Sequence, residues 1–256
     1  MTASIPLARF SNLTLGYEKH PAVHHLNGDL YQGDLLAVVG PNGGGKSTLL
    51  KGMMSQLTPL GGRIEWPQPQ KLAYLPQRAR LDLDFPLRVI DFVALGFWPQ
   101  VGAFGGVRRT ALDQVSQALH QVGMQRFEKR SLDSLSGGQL QRVLFARLIL
   151  EDAQLILLDE PFAAVDEATQ EDLMQLIQHW HQQGRTIIAV LHDLQQVKRH
   201  FPRCLLLARE VLGFGPTDQV LTEDNLRRAR KMQVAFDPLA PICDLHLDEE
   251  VEADHA

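Results

Sequence analysis

The chain has 256 residues, of which 45% are hydrophobic and 21% are charged. This is the balance of an ordinary globular protein, so the composition excludes collagen, coiled coil and wholesale disorder. The formal net charge is −5, and acidic residues are concentrated after Lys231, beyond which no Lys or Arg follows. Without that acidic end the chain is close to neutral. It therefore carries no basic footprint for nucleic acid, and we expect no nucleic-acid partner.

The apolar runs of the sequence are short compared with the roughly 18 residues that span a bilayer. The most apolar stretches, Leu155 to Leu158 and Ile187 to Leu191, have only the length of a strand. The first residues lack the basic and then long apolar segment of a secretory signal. These features predict a cytosolic chain without a membrane span of its own. Two cysteines, Cys204 and Cys243, are too few for a disulfide framework or a thiolate zinc site.

The first elements in chain order are predicted to be strands followed by a helix. Alternating apolar residues that end at Tyr17 predict an early strand, and the apolar run from Leu35 to Val39 predicts another. Apolar residues then recur at helical spacing and predict a helix that begins at Lys46 and ends before Pro59. These residues are Leu49, Leu50, Met53, Met54 and Leu57.

The middle of the chain, about residues 78–134, is predicted to be a helical insertion. Its apolar positions follow helical spacing, and no convincing strand pattern is present. These positions include Leu112, Val115, Leu119 and Val122. The stretch from Gly102 to Gly106 is predicted to be a loop within the insertion.

The second half of the chain is predicted to contain a strand, a helix and a strand. Leu155 to Leu158 and Thr186 to Leu191 do not alternate with polar residues, which is typical of strands buried on both faces. A helix between them is predicted to end at Gly184, from the spacing of Leu173, Leu176, Ile177 and Trp180. This order predicts an α/β fold, in which a mostly parallel sheet carries helices on both faces.

A glycine-rich segment between a predicted strand and a predicted helix carries the first chemical motif. It matches G-x-x-x-x-G-K-[ST], the P-loop, in the context that this motif requires. Its glycines let backbone N–H groups form an anion-binding nest, and the helix N-terminus adds partial positive charge. We expect Lys46 to reach the β and γ phosphates of ATP and the Ser47 hydroxyl to ligate Mg²⁺. The predicted nucleotide-binding residues here are Gly40, Pro41, Asn42, Gly43, Gly44, Gly45, Lys46, Ser47 and Thr48.

Two carboxylates, Asp159 and Glu160, directly follow the apolar strand that begins at Leu155. Ligands gather at the carboxyl ends of the strands in open parallel sheets. We expect Asp159 to hold Mg²⁺ through its water shell and Glu160 to act as general base for the attacking water. The alternative is a pair of solvated acids before a helix, favoured by the helix dipole. Up to this point kinases, GTPases and helicases remain open.

The segment Leu135-Ser136-Gly137-Gly138-Gln139, continued by Leu140-Gln141-Arg142, resembles the signature of ABC-type ATPases. These are the ATP-binding subunits of ATP-binding cassette transporters. Ser136 and two glycines before a helix form a second anion cradle with a hydroxyl donor. This second cradle excludes most other P-loop enzymes.

The resemblance covers nearly the whole chain and implies roles for four further residues. Tyr17 matches the aromatic residue that stacks on adenine, although a core aromatic is the alternative. Gln77 resembles the glutamine that touches Mg²⁺ and links the core to the helical insertion. Asp166 matches the loop that lies across the subunit boundary, and His192 matches the switch histidine that contacts the γ-phosphate.

The resemblance also implies an architecture: a P-loop NTPase core with an N-terminal antiparallel β subdomain and an inserted helical subdomain. This domain would cover residues 1–236, followed by an acidic, flexible tail of residues 237–256. The implied assembly is a head-to-tail homodimer, in which each ATP lies between the P-loop of one subunit and the signature of the other. Its implied location is peripheral, on the cytoplasmic face of the inner membrane.

The resemblance implies that the dimer transmits its conformational change to a separate integral membrane permease. It also implies a substrate-binding protein as an indirect partner. The region from Phe85 to Trp98 is the predicted docking surface, and its aromatic residues would otherwise be core of the insertion.

The substrate is predicted from resemblance alone. The segments Asp84 to Leu87, Val89 to Val93 and Glu160 to Asp166 resemble those of importers for zinc, manganese or chelated iron. Zinc or manganese import is the first interpretation. Iron-chelate, haem or cobalamin uptake, a soluble non-transport ABC ATPase and a small-molecule kinase are the alternatives. The acidic tail is interpreted as a solubilising end, with a metal sensor as the alternative because it contains Cys243, His246 and His255.

Overall fold

Nine strands and eight α-helices are found among the residues that the computed structural model describes, which are 6–18, 20–77, 87–98, 109–163 and 165–234. The strands are β1 Pro6–Tyr17, β2 His20–Tyr31, β3 Leu35–Val39, β4 Gly61–Glu65, β5 Leu72–Leu75, β6 Leu155–Asp159, β7 Thr186–Val190, β8 Arg203–Ala208 and β9 Glu210–Pro216. The helices are α1 Lys46–Met53, α2 Val89–Ala94, α3 Arg109–Gln121, α4 Gly137–Glu151, α5 Glu167–Gln182, α6 Leu194–His200, α7 Thr217–Val220 and α8 Glu223–Val234. Within these ranges, no helix combines the length and hydropathy that a membrane span requires.

The strands are ordered β4-β1-β2-β9-β8-β3-β7-β6-β5. The central part of this sheet is parallel. Strand β3 pairs in parallel with β7 and β8, and strand β6 pairs in parallel with β5 and β7. The N-terminal part is antiparallel, with β1 between β2 and β4. The residue pair His24 and Glu210 joins the two parts through β2 and β9. This arrangement confirms the predicted α/β fold with its N-terminal antiparallel β subdomain.

The central strands are buried on both faces because alternate side chains enter two different apolar clusters. In β6, Ile156 and Leu158 pack into the cluster that includes the helical insertion and α4. Leu155 and Leu157 pack into the cluster that includes β1, β2 and α1. This explains why the strand sequence lacks polar alternation. Both β6 and β7 begin at the predicted residues, and their carboxyl ends lie side by side at one edge of the sheet.

The first helix is shorter than predicted. It ends at Met53, one turn before Leu57. Ser55 adopts a left-handed φ of 57°, and its N–H donates to the carbonyl of Gly52 at 2.9 Å. This capping turn satisfies a terminal helical carbonyl, so the helix ends before the apolar spacing does.

The described part of the predicted insertion is helical, as expected. Helices α2 and α3 and a 3₁₀ turn at Leu95–Phe97 pack against α4. In this described part, the strand-like pairing is limited to an isolated bridge between Arg88 and Ser131. The predicted loop from Gly102 to Gly106 lies outside the described residues.

The aromatic residues of the insertion have two different environments. Phe92 and Phe97 are each 7% exposed and belong to the apolar core. Trp98 is 56% exposed. Phe92 and Phe97 are therefore core residues, as one interpretation predicted, and the docking surface stays a prediction. Phe85 lies outside the described ranges.

Candidate active site

The glycine-rich loop connects β3 to α1 and has a backbone that requires glycine at two positions. Gly45, at the start of α1, has a left-handed φ of 93°, and a Cβ there would lie 2.2 Å from the carbonyl oxygen of Ala22. A Cβ at Gly40 would lie 1.8 Å from the carbonyl oxygen of Leu207. The loop therefore packs tightly against two other segments of the chain, which holds its backbone in place.

Lys46 occupies the interior of this loop. Its Nζ donates to the carbonyl oxygens of Gly40 and Pro41, each at 2.9 Å, and the residue is 7% exposed. Burial lowers the pKa of Lys46, although the nearby carboxylates of Glu160 and Asp159 oppose that shift. Because burial is the largest influence on this ammonium, an incoming anion would stabilise its charge further, as expected for a phosphate-binding lysine.

Asp159 is the buried carboxylate at the end of β6, with an exposure of 1%. Its Oδ1 accepts a hydrogen bond from Ser47 Oγ at 3.2 Å, so the structure brings these two predicted residues together. Its Oδ2 accepts a hydrogen bond from Tyr74 Oη at 3.3 Å. Sequence reasoning missed Tyr74, because no motif marks it; the signal lies in the register, where Tyr74 pairs with Leu157, two residues before Asp159.

Glu160 is held between two other predicted residues. Its Oε2 accepts a hydrogen bond from Gln77 Nε2 at 2.8 Å, and its Oε1 lies 2.8 Å from His192 Nε2. Glu160 also has a left-handed φ of 53°, which costs a non-glycine residue roughly 1 kcal/mol or more. With 20% of its side chain exposed, Glu160 is not simply a solvated acid.

The donor set around Asp159 fits a magnesium ion. A carboxylate and a hydroxyl meet in the contact of Asp159 with Ser47, and Gln77 donates its amide N–H to Glu160, the residue that follows Asp159. Carboxylate, hydroxyl and amide oxygens are ligands that Mg²⁺ takes in nucleotide sites.

The signature residues begin α4. Ser136 is its N-cap: Ser136 Oγ accepts from the Gln139 backbone N–H at 3.3 Å, and the Ser136 N–H donates to Gln139 Oε1 at 3.0 Å. Gly137 and Gly138 form the first turn. This reciprocal capping box leaves Ser136 exposed at the tip of the helix.

Asp166 lies next to the signature of the same chain. It is the N-cap of α5, where its Oδ1 accepts from the Thr169 N–H and its Oδ2 from Thr169 Oγ1, both at 2.9 Å. These hydrogen bonds lower the pKa of Asp166. A Cβ at Gly138 would lie 3.4 Å from Asp166 Oδ2.

Sequence reasoning missed the contact that joins the signature helix to the segment after Glu160. It is made by buried Gln141, whose Nε2 donates to the carbonyl of Pro161 at 2.7 Å.

Tyr17 lies at the end of β1 with 44% of its surface exposed, which excludes the alternative of a core aromatic. Its hydroxyl accepts a hydrogen bond from Lys51 Nζ at 2.8 Å, and the same ammonium lies 5.1 Å from the ring centroid. The rest of the aromatic ring remains open to a planar ligand.

The parallel sheet carries a glycine-rich loop after one strand and a buried carboxylate at the end of another, and a lysine side chain lies inside the loop. These features define a P-loop nucleoside triphosphatase. A family model described as ABC transporter matches residues 23–163. The chain belongs to this ATP-binding cassette family, and it is an ATPase whose domain binds ATP or ADP.

ATP-binding proteins of metal transport systems are similar to this chain over most of their length. The chain is 38% identical over 223 residues to the manganese transport system ATP-binding protein MntB of Listeria innocua, covering 85% of this chain and 93% of the relative. It is 36% identical over 235 residues to the zinc transport system ATP-binding protein TroB of Treponema pallidum, covering 90% and 88%.

Solved structures show the same fold. An inward-facing metal-chelate type ABC transporter aligns with a TM-score of 0.80 and 34% identity, covering 89% of this chain and 90% of that chain. The dimeric ATP-binding cassette MJ0796 in a post-hydrolysis state, bound to ADP and phosphate, aligns with a TM-score of 0.72 and 25% identity, covering 82% and 98%.

Proposed function

We propose that this chain is the ATP-hydrolysing subunit of an importer for zinc or manganese. The observation that carries the ATPase mechanism is the position of Glu160, held by Gln77 and His192 beside the buried carboxylate of Asp159. The names of the manganese and zinc relatives support the substrate. The structural similarity to a metal-chelate type transporter supports uptake of a chelated metal, and chelated iron is the second candidate.

In the proposed mechanism, the backbone of residues 40–48 and Lys46 bind the phosphates of ATP, and Tyr17 stacks on its adenine. Ser47, Gln77 and Asp159 would hold Mg²⁺, which supplies positive charge at the phosphates when bound. Glu160 takes a proton from the attacking water, the oxygen of that water bonds to the γ-phosphorus, and the bond from the γ-phosphorus to the ADP oxygen breaks, which gives ADP and phosphate. His192 orients Glu160 and contacts the γ-phosphate.

We further propose that the pocket is completed by a second copy of the chain. Ser136, Gly137, Gly138 and Gln139 of one protomer would meet the γ-phosphate held by the P-loop of its partner, with Asp166 beside them. The exposed position of Ser136 at a helix N-terminus supports this assembly, because that end attracts anions. The dimer of the cassette that binds ADP and phosphate supports it as well.

Mixing two inactive variants tests this joint pocket. Lys46→Ala lacks the phosphate lysine, and Ser136→Ala lacks the signature hydroxyl, so each variant alone should be inactive. A mixed dimer has one damaged pocket and one intact pocket, in which Lys46 and Ser136 come from different protomers. Recovery of ATPase activity on mixing supports the proposal. Failure to recover, with mixed dimers demonstrated by differential tagging, overturns it.

ATP-binding subunits of transport systems are peripheral membrane components that work with a permease. For this chain we propose the cytoplasmic face of the inner membrane, an integral permease that contacts the region around Trp98, and a substrate-binding protein as indirect partner. Uptake of radiolabelled zinc, manganese and chelated iron in cells that lack the protein tests the substrate. Loss of iron-chelate uptake alone would replace the first choice, and unchanged uptake of all three would overturn metal import.

We propose that residues 1–236 form the ATPase domain and that residues 237–256 are a solubilising acidic tail. Metal titration of the full chain and of a chain truncated after Asp237 tests this. Equal affinities support the tail's passive role, and a loss of affinity on truncation would make the tail a metal sensor.

A further inference from the structure

We propose that Tyr74 is a positioning residue for the carboxylate of Asp159, and that Arg147 ties the strand of Tyr74 to the helical insertion. This inference rests on the proposed function, in which Asp159 holds Mg²⁺. It assigns roles to two residues outside the P-loop, the signature and the residues adjoining Glu160.

The first step is the burial of Asp159. At 1% exposure its carboxylate has almost no contact with solvent, so hydrogen-bond donors must stabilise its charge. Ser47 Oγ donates to Oδ1 at 3.2 Å, and Tyr74 Oη donates to Oδ2 at 3.3 Å. The hydroxyl of Tyr74 thus holds Oδ2 of this carboxylate, while Ser47 contacts the other oxygen.

The second step is the contact that holds Tyr74. Arg147 on α4 donates from Nη2 to the carbonyl oxygen of Tyr74 at 3.3 Å. Its Nε faces Glu151 Oε1 at 3.1 Å, and both side chains are largely buried. Burial raises the pKa of Glu151, while the charge of Arg147 opposes this shift. Arg147 is therefore a largely buried cation that contacts both Glu151 and the backbone of Tyr74.

The third step is the contact of Arg147 with the insertion. The guanidinium carbon lies 5.5 Å from the ring centroid of Phe92, which is part of α2. Gly96 approaches the same helix so closely that a Cβ there would lie 2.6 Å from the carbonyl oxygen of Arg147. Contacts thus run from Phe92 through Arg147 and Tyr74 to Asp159. Through these contacts, a displacement of the insertion would shift the carboxylate of Asp159, which is proposed to hold the metal ion.

The substitution Tyr74→Phe tests the positioning role, because it removes only the hydroxyl. Mn²⁺ is titrated into the complex with the non-hydrolysable analogue AMP-PNP and followed by electron paramagnetic resonance. We expect Mn²⁺ affinity to fall about tenfold, the usual effect of losing an outer-shell partner. Binding of AMP-PNP in EDTA should not change. Tyr31→Phe is the matched control, because Tyr31 lies beside Asp29 and Arg203 instead.

The substitution Asp159→Asn distinguishes failure of the Tyr74 proposal from failure of the magnesium assignment. If Asp159→Asn weakens Mn²⁺ binding and Tyr74→Phe does not, the role of Tyr74 is overturned and the proposed function stands. If Asp159→Asn leaves Mn²⁺ affinity unchanged, the magnesium assignment itself fails.

Arg147→Lys tests the tie to the insertion, because lysine keeps the charge but lacks the planar fork. We expect faster hydrogen exchange of residues 72–77 and weaker Mn²⁺ binding, by a smaller factor than in Tyr74→Phe. Unchanged exchange and unchanged Mn²⁺ affinity would overturn the role of Arg147.

Discussion

Glu160 Oε1 and His192 Nε2 lie 2.8 Å apart at the carboxyl ends of two neighbouring parallel strands. The register of β6 and β7 pairs Asp159 with Val190, so the residues that follow these strands emerge side by side. The contact joins the proposed general base to the proposed γ-phosphate sensor. The two side chains should therefore act as one unit rather than independently.

Glu160→Gln should retain ATP binding and lower turnover by about 10²- to 10⁴-fold, because a general base contributes about that much. A closed ATP-bound dimer should accumulate, since hydrolysis no longer reopens it. Phosphate release and size-exclusion chromatography measure the two effects. His192→Ala should also lower turnover, and the double variant should lose less than the product of the single losses because the residues are in contact.

Glu171→Gln is the control for this cycle, because Glu171 is an exposed acid on α5 and should leave turnover unchanged. Independent, multiplicative losses in the double variant would contradict a coupled pair. Undiminished turnover in Glu160→Gln would remove Glu160 from its role.

Lys46→Ala should weaken nucleotide binding at least tenfold, because the loop loses a buried, charge-assisted phosphate contact. Titration with a fluorescent ATP analogue measures this, and exposed Lys198→Ala is the matched control. Since burial lowers the pKa of Lys46, the wild-type affinity should also fall on the alkaline side at a lower pH than for an ordinary lysine. Intact affinity in Lys46→Ala would be incompatible with the assignment.

Ser136→Ala should have two separable effects. Loss of the N-cap should lower the free energy of unfolding by about 1 kcal/mol, and loss of the hydroxyl should prevent ATP-induced dimerisation. Thr222→Ala is the control, because Thr222 Oγ1 accepts from the Asn225 N–H at 3.3 Å in the same way at another helix. The control should lose similar stability and dimerise normally. Normal dimerisation of Ser136→Ala would contradict the shared pocket.

Trp98→Ala and Phe97→Ala should behave differently although the residues are adjacent. Phe97 is core, so its truncation should cost about 3–5 kcal/mol of stability, measured by denaturant unfolding. Trp98 is exposed, so its truncation should leave stability and the isolated ATPase unchanged but reduce co-purification of the permease from membranes. Undiminished co-purification would remove Trp98 from the docking surface.

Cys204 should be unreactive in the folded protein. Burial raises the pKa of its thiol to about 12, so almost no thiolate is present near neutral pH. In a Cys243→Ser chain, iodoacetamide labelling of Cys204 at pH 8 should follow global unfolding, with mass spectrometry as the readout. Rapid labelling under native conditions would show that β8 opens locally.

Residues whose chemistry depends on neighbours in the chain could be predicted from the sequence. The P-loop, Asp159 with Glu160, and the signature are contiguous segments, and the lack of polar alternation in β6 and β7 reflects burial on both faces. The end of α1 was predicted too late, because the left-handed turn at Ser55 leaves no trace in apolar spacing. Local sequence patterns indicate which residues are buried and which motifs are present. They do not identify the residues that these side chains contact in the fold.

The partners themselves were decided by the tertiary structure. Tyr74 and Asp159 are 85 residues apart in the chain, and only the parallel register of β5 and β6 brings the hydroxyl to the carboxylate. The different environments of Phe97 and Trp98 likewise follow from packing of the insertion on α4, because both residues read as equally apolar in sequence. Contacts between distant segments depend on strand order and helix packing, which no local pattern encodes.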